Sequence, residues 1–219
     1  MKGVSDMLKE LRESLCRLLQ VLPAYHLVCL TSGNISARDQ ESGLVAIKPS
    51  GVPYEDLTPD KIVVVDQNGK TIWGELIPSS DTYSHLYIYA QMQTIHGIVH
   101  THSPYATAFA AAGLEIPVLF SETAEEFGGE IPCSDFVLIG DETIGEQVVK
   151  YAGNSHAVLL KQHGIFTIGE TPRKALDLAI LAENSAQIAW FGKALGAKKT
   201  IPDEEIQKIY DRQQNVYGQ

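Results

Sequence analysis

The segment IVVVDQNGKTIW, residues 62–73, decides the fold class. Two short β-branched runs, Ile62–Asp66 and Thr71–Trp73, flank Asn68-Gly69, a dipeptide that closes tight hairpins because both residues accept positive φ. A hairpin joins antiparallel neighbours, so the strand-and-helix alternation around it is not a pure βαβ series. Upstream, Leu44–Lys48 reads as another short strand. Residues 7–22 place Met7, Leu8, Leu11, Leu15, Leu18, Leu19 and Leu22 at helical spacing, predicting an amphipathic helix that ends before Pro23. Downstream, residues 82–93 read as a helix with Ser80 or Asp81 as N-cap. A strand over Ile95–His102 and an Ala-rich helix over Tyr105–Ala112, opened by Pro104, follow. Short strands are expected at Pro117–Phe120 and Phe136–Ile139, then a helix near 143–152. Ala157–Leu160 and Ile165–Ile168 read as strands meeting at Gln162-His163-Gly164. The longest helix should run from Thr171-Pro172 to about Leu195, stopped by Gly196, with a last one from about Glu204. The expected fold is α/β: one three-layer α/β/α domain over residues 1–219 around a central mixed, mainly antiparallel β-sheet.

Composition narrows the function. Of 219 residues, 44% are hydrophobic and 20% charged, which excludes wholesale disorder. Seventeen Lys and Arg against 27 Asp and Glu give a formal charge of −10, which disfavours nucleic acid and anionic lipid as partners. No apolar run approaches the roughly 18 to 20 residues that cross a bilayer. The opening MKGVSDMLKELRESL is too charged for a secretory core segment. Cys16, Cys29 and Cys133 are far apart and odd in number, which argues for a reducing compartment and a cytoplasmic location.

Of seven histidines, His100 and His102 lie two apart in IVHTHS at the end of an apolar run. Alternate strand residues share a face about 6.5 to 7 Å apart, close enough for two imidazoles to converge on one cation. His163, in the Gly-flanked turn KQHGIF, is a third donor able to swing over the sheet edge. Three neutral imidazoles and an open position make the catalytic zinc pattern, with manganese or iron poorer fits. An HxH pair alone is commonly an ordinary strand feature; the third histidine and the carboxylate of PSSDT strengthen the metal reading. His85, four residues after Asp81, shares its helix face and is a rival ligand, although a structural role suits it better. Thr31-Ser32-Gly33-Asn34, Lys48-Pro49-Ser50-Gly51 and Pro78-Ser79-Ser80-Asp81 each combine hydroxyls and backbone N–H groups suited to an anion, and Lys48 adds a point charge. Singly each reads as a plain turn, and a function requires all three together.

Taken in order, TSGNIS (31–36), IKPSGV (47–52), PSSDT (78–82), GIVHTHSPYAT (97–107), IPCS (131–134), QHG (162–164) and YGQ (217–219) resemble the class II aldolase/epimerase family nearly end to end. The resemblance implies zinc, or manganese or another divalent cation, on His100, His102 and His163, with Asp81 beside it. It implies a sugar-phosphate set of Gly33, Asn34, Lys48, Ser50, Gly51, Ser79 and Ser80. It also implies a homotetramer with sites at subunit interfaces, where Tyr217 reaches the neighbour's metal. Family epimerases carry an acid/base Asp in a segment like THADYF. Here Glu122–Phe127 stands there, placing Glu125 at that position, one methylene longer. The implied activity is epimerisation at C4 of a pentulose 5-phosphate through breaking and remaking C3–C4, with Glu125 and Tyr217 exchanging protons. The alternatives are aldol cleavage of a fuculose- or rhamnulose-type 1-phosphate, and a non-catalytic scaffold like the adducin head. Asp81, where fuculose-type aldolases carry Glu, and the YGQ ending favour the epimerase.

Overall fold

A computed structural model describes residues 8–197 and 200–217, without the side chains of residues 216 and 217. Its centre is a seven-stranded sheet of β1 (Asn34–Arg38), β2 (Val45–Ile47), β3 (Val63–Val65), β4 (Thr71–Trp73), β5 (Gly97–Thr101), β6 (Ala157–Leu160) and β7 (Gly164–Gly169). The spatial order is β4-β3-β2-β1-β5-β7-β6. Every neighbouring pair of the named strands is antiparallel, which bears out the mainly antiparallel sheet expected from sequence, with no parallel pair among these strands. A parallel bridge joins Cys133, which lies in no named strand, to Leu159 on β6. The β3–β4 hairpin forms as the Asn-Gly pair predicts. The Asp66 carboxylate accepts the backbone N–H of Asn68 and of Lys70, at 2.9 and 3.0 Å, tying the turn to its own strand.

Strand alternation sends side chains to two faces. Ile35, Ala37, Ala46, Val64 and Val99 pack under α1 (Lys9–Leu19) and α7 (Pro172–Ala194). Val45, Val63, Val65, Ile98, Val158, Phe166 and Ile168 pack under α3 (Thr82–Gln91) and α6 (Thr143–Tyr151). Leu159 and Ile165 meet α4 (Pro104–Ala112) and the middle of α7. A short α2 (Val21–Ala24) follows α1, and α5 (Ser121–Phe127) rests on α7 and α8 (Asp203–Arg212).

Local departures have physical causes. Pro23 lies inside α2 instead of ending a helix before it, because a one-turn helix leaves its first N–H groups unpaired in any case. Pro117–Phe120 and Phe136–Ile139 are not strands. Near the first, the pairing is one bridge, Ile116 to Ile131. The chain leaves the edge strand β6 after Cys133, leaving Phe136, Leu138 and Ile139 exposed. No helix among the described residues is long and apolar enough to cross a membrane.

Candidate metal centre

The register of the sheet sets the site. His100 on β5 stands opposite Asn34 on β1 and Phe166 on β7, so all three project from the α3 side of the sheet. Phe166 stacks on the His100 ring with centroids 4.5 Å apart. His102 follows β5 directly, and His163 sits in the turn from β6 to β7, where Gln162 takes a positive φ of 59°. The three rings meet, with centroids 4.8 to 4.9 Å apart. One nitrogen from each lies within 4.8 Å of the other two. The triad expected from sequence is therefore assembled.

Two glycines let the histidines approach. A Cβ on Gly164 would stand 2.5 Å from the Thr101 carbonyl and 2.8 Å from His102 Cδ2. At Gly33, where φ is +75°, a Cβ would meet the His100 carbonyl at 2.8 Å. Both positions require a bare backbone, which gives the glycines of QHG and TSGN a packing reason.

The triad suits a divalent cation. His100 Nδ1 lies 3.0 Å from the Ile165 carbonyl, which can only accept, so the hydrogen of a neutral ring sits on Nδ1 and Nε2 presents a lone pair. That Nε2 is 3.0 Å from His102 Nε2. Burial lowers the pKa of His100 to about 3 and lowers those of His102 and His163 as well, so all three rings are neutral near pH 7. Three neutral imidazoles converging with a free lone pair are the donor set of a zinc-type centre.

Asp81, at the N-terminal edge of α3, stands beside this cluster. Asn34 Nδ2 donates to Asp81 Oδ2 at 2.7 Å and to Ser79 Oγ at 3.0 Å. Burial opposes ionisation of Asp81, but His100, His85 and the Asn34 amide outweigh it and hold the carboxyl below its usual range. Asn34 Oδ1 is buried without a partner among the described residues.

The three small-residue loops also come together. Pro49 bridges Pro78, the Ser50 N–H donates to Ile77, and the Ser79 N–H donates to Lys48. Lys48 Nζ donates to the carbonyls of Thr31 and Pro49 at 3.1 and 3.3 Å, over the Tyr54 ring. Burial lowers its pKa to about 8. Ser50, Gly51 and Ser80 face solvent on this rim, while Gly33 and Ser79 are half-buried.

Glu125 belongs to α5, whose packing partners are α7 and α8. The side chain of Tyr217 lies outside the described residues. Sequence reading passed over Glu183, whose carboxylate accepts the N–H groups of Tyr105 and Ala106 at 2.9 Å each. It thereby caps α4 just beyond His102. Nothing in the sequence marks this mid-helix glutamate. Ser36, which bonds both His85 and Tyr89, was equally silent.

Residues 13–190 match the class II aldolase and adducin N-terminal domain family. The chain belongs to this family. Among solved structures, the class II aldolase fold recurs in an L-fuculose 1-phosphate aldolase at 29% identity, with a TM-score of 0.87 over 93% of this chain and 95% of that one. An L-fuculose-1-phosphate aldolase from Thermus thermophilus is 25% identical, with a TM-score of 0.72 over 86% of this chain and 97% of its own. YgbL from Escherichia coli, a putative aldolase/epimerase/decarboxylase, shares the fold at 22% identity, with a TM-score of 0.82 over 92% and 98%. Class II aldolases depend on a divalent metal and act on sugar phosphates, which agrees with the triad in this chain.

Proposed function

We infer that the chain breaks and reforms the C3–C4 bond of a ketose phosphate, and that its reaction is the C4 epimerisation of L-ribulose 5-phosphate to D-xylulose 5-phosphate. The observation that carries this reading is the convergence of His100, His102 and His163 beside Asp81, at the mouth where three anion-capable loops meet. A divalent cation held by these imidazoles, zinc in the first instance, would act as a Lewis acid on the substrate's carbonyl and adjacent hydroxyl oxygens.

The remaining roles belong to the chain's own residues. Gly33, Ser50, Gly51, Ser79 and Ser80 offer N–H and hydroxyl donors to the phosphate, with Lys48 as the nearby positive charge. Asn34 holds Asp81 through its Nδ2. Breaking C3–C4 of a 5-phosphate leaves the phosphate on the two-carbon aldehyde, so the loops would hold that fragment by its phosphate while its aldehyde group turns its other face to C3. Glu125 and Tyr217 exchange a proton with the C4 oxygen on opposite faces. The same reading takes the chain as a homotetramer with sites at subunit interfaces, where the tail carrying Tyr217 would reach the triad of a neighbouring copy.

A second reading, aldol cleavage of a fuculose-type 1-phosphate, is favoured by the 29% identical fuculose-phosphate aldolase. Asp81, one methylene shorter than the Glu of such aldolases, favours the epimerase. The retained triad argues against a metal-free scaffold. Incubating metal-loaded protein with L-ribulose 5-phosphate and, separately, L-fuculose 1-phosphate separates the readings. D-Xylulose 5-phosphate from the first supports the epimerase. Dihydroxyacetone phosphate from the second, with no epimer from the first, replaces it with the aldolase.

A further inference from the structure

Tyr54 lies two residues beyond the KPSGV loop, in a one-turn 3₁₀ helix over Tyr54–Asp56, and is buried. Its hydroxyl is 2.8 Å from the Ser32 carbonyl and 3.0 Å from the Gly33 carbonyl. Carbonyl oxygens only accept, so the phenol donates to both. Burial pushes its pKa up, so the hydroxyl keeps that hydrogen near neutral pH. The same ring lies under Lys48 Nζ, 4.9 Å from its centroid, while Nζ donates to the Thr31 carbonyl. One side chain therefore touches both the TSGN and the KPSG loops. Tyr54 is itself held from α1. Gln20 Nε2 donates to the Tyr54 carbonyl, and Cys16 Sγ stands 3.6 Å from the carbonyl of Leu57.

A trans peptide group points its carbonyl and its N–H in opposite directions. The Ser32 carbonyl and the Gly33 N–H belong to one such group, so holding the first against the buried phenol turns the second away from it. Among the described residues no acceptor pairs with the N–H of Gly33, Gly51 or Ser80. One of these comes from each of the three loops, and unpaired backbone N–H groups of this kind are what an anion collects. Tyr54 sets the direction of the first.

We propose that Tyr54 is a positioning residue for the anion cradle: its hydroxyl fixes the Ser32–Gly33 backbone so that the Gly33 N–H meets the phosphate, and its ring seats the Lys48 ammonium against the same loop. The phosphate is that of the sugar-phosphate reading, on which this role rests, whereas the hold on the two carbonyls belongs to the protein alone.

Calorimetric titration of the full chain with inorganic phosphate tests this role. Tyr54→Phe keeps the ring and removes the hydroxyl, and it should weaken phosphate binding about three- to tenfold. Tyr54→Leu removes the ring as well and should weaken binding at least about twofold more. A merely structural tyrosine would lower the melting temperature and leave phosphate affinity at the parent value, which overturns the proposal. Equal affinities of the Phe and Leu variants overturn the part given to the ring. Proton–nitrogen spectra of the unmodified chain need no variant. Added phosphate should move the Gly33 amide proton downfield, and an unmoved Gly33 resonance overturns the proposal whether or not the variants fold. If Tyr54→Phe weakens phosphate binding but neither L-ribulose 5-phosphate nor L-fuculose 1-phosphate is turned over by the unmodified chain, the sugar-phosphate reading falls and the role of Tyr54 stands. If either substrate is turned over and phosphate affinity is indifferent to Tyr54→Phe, the reading stands and the role falls.

Discussion

Asn34 and Asp81 are 47 positions apart in the chain, and Asn34 Nδ2 donates to Asp81 Oδ2 at 2.7 Å. This bond links the central strand β1 to the start of α3 and turns a carboxylate toward the histidines. Asn34→Leu leaves that carboxylate buried without its donor. Its unfolding free energy should fall by about 1 to 3 kcal/mol, read by urea denaturation. Unchanged stability would mean that water replaces the amide at no cost.

Gly164→Ala tests the close approach around the triad. The added methyl would collide with the Thr101 carbonyl and press on His102. Overpacking of this kind costs about 1 to 3 kcal/mol. Zinc affinity, measured by competition with a chromophoric chelator, should fall along with the melting temperature. A variant that melts lower but binds zinc as tightly would uncouple the turn from the triad.

Glu183 accepts two N–H groups at the first turn of α4. Glu183→Ala should lower stability by about 1 to 2 kcal/mol, the range of a lost N-cap, with Glu183→Gln in between. Thermal melts of the three proteins give the order directly. An alanine variant as stable as the parent would show that the cap is dispensable.

Lys48 gives the anion cradle a pH dependence. Its pKa is lowered by burial from the ordinary 10.5 to about 8, so its charge is present below pH 8 and lost as pH rises through that value. Inorganic phosphate affinity should decline above pH 8, and Lys48→Met should remove the decline. The folding contribution has the opposite slope. Between pH 8 and 10.5 the unfolded chain keeps a proton that the folded chain has released, so stability from this group rises with pH. Calorimetric titration at pH 7 and pH 9 reads the binding effect, and identical affinities would remove Lys48 from the cradle.

The parts of the molecule governed by local pattern were legible in the sequence. The Asn68-Gly69 turn, the helix opened by Thr171-Pro172 and the His100/His102 pair each follow from residues adjacent in the chain. Strand β1 was not legible, because TSGN reads as a loop and Asn34 and Ser36 are polar. Their burial is compensated by Asp81 and His85 from a helix almost fifty residues away. Phe136–Ile139 misled in the opposite sense, since β propensity cannot reveal that no neighbouring strand stands there to pair. Glu183 was invisible for the same reason as β1: its partners are 77 and 78 positions distant. Long-range polar pairing leaves no local pattern, and most of what supports the triad is of that kind.

Metal content tests the triad most directly. The full chain, loaded with zinc and dialysed against metal-free buffer, should retain one ion per chain by elemental analysis. His100→Ala and His163→Ala should retain none while still folding. Equal zinc in all three proteins, or none in the unmodified chain, would contradict a single centre built from His100, His102 and His163.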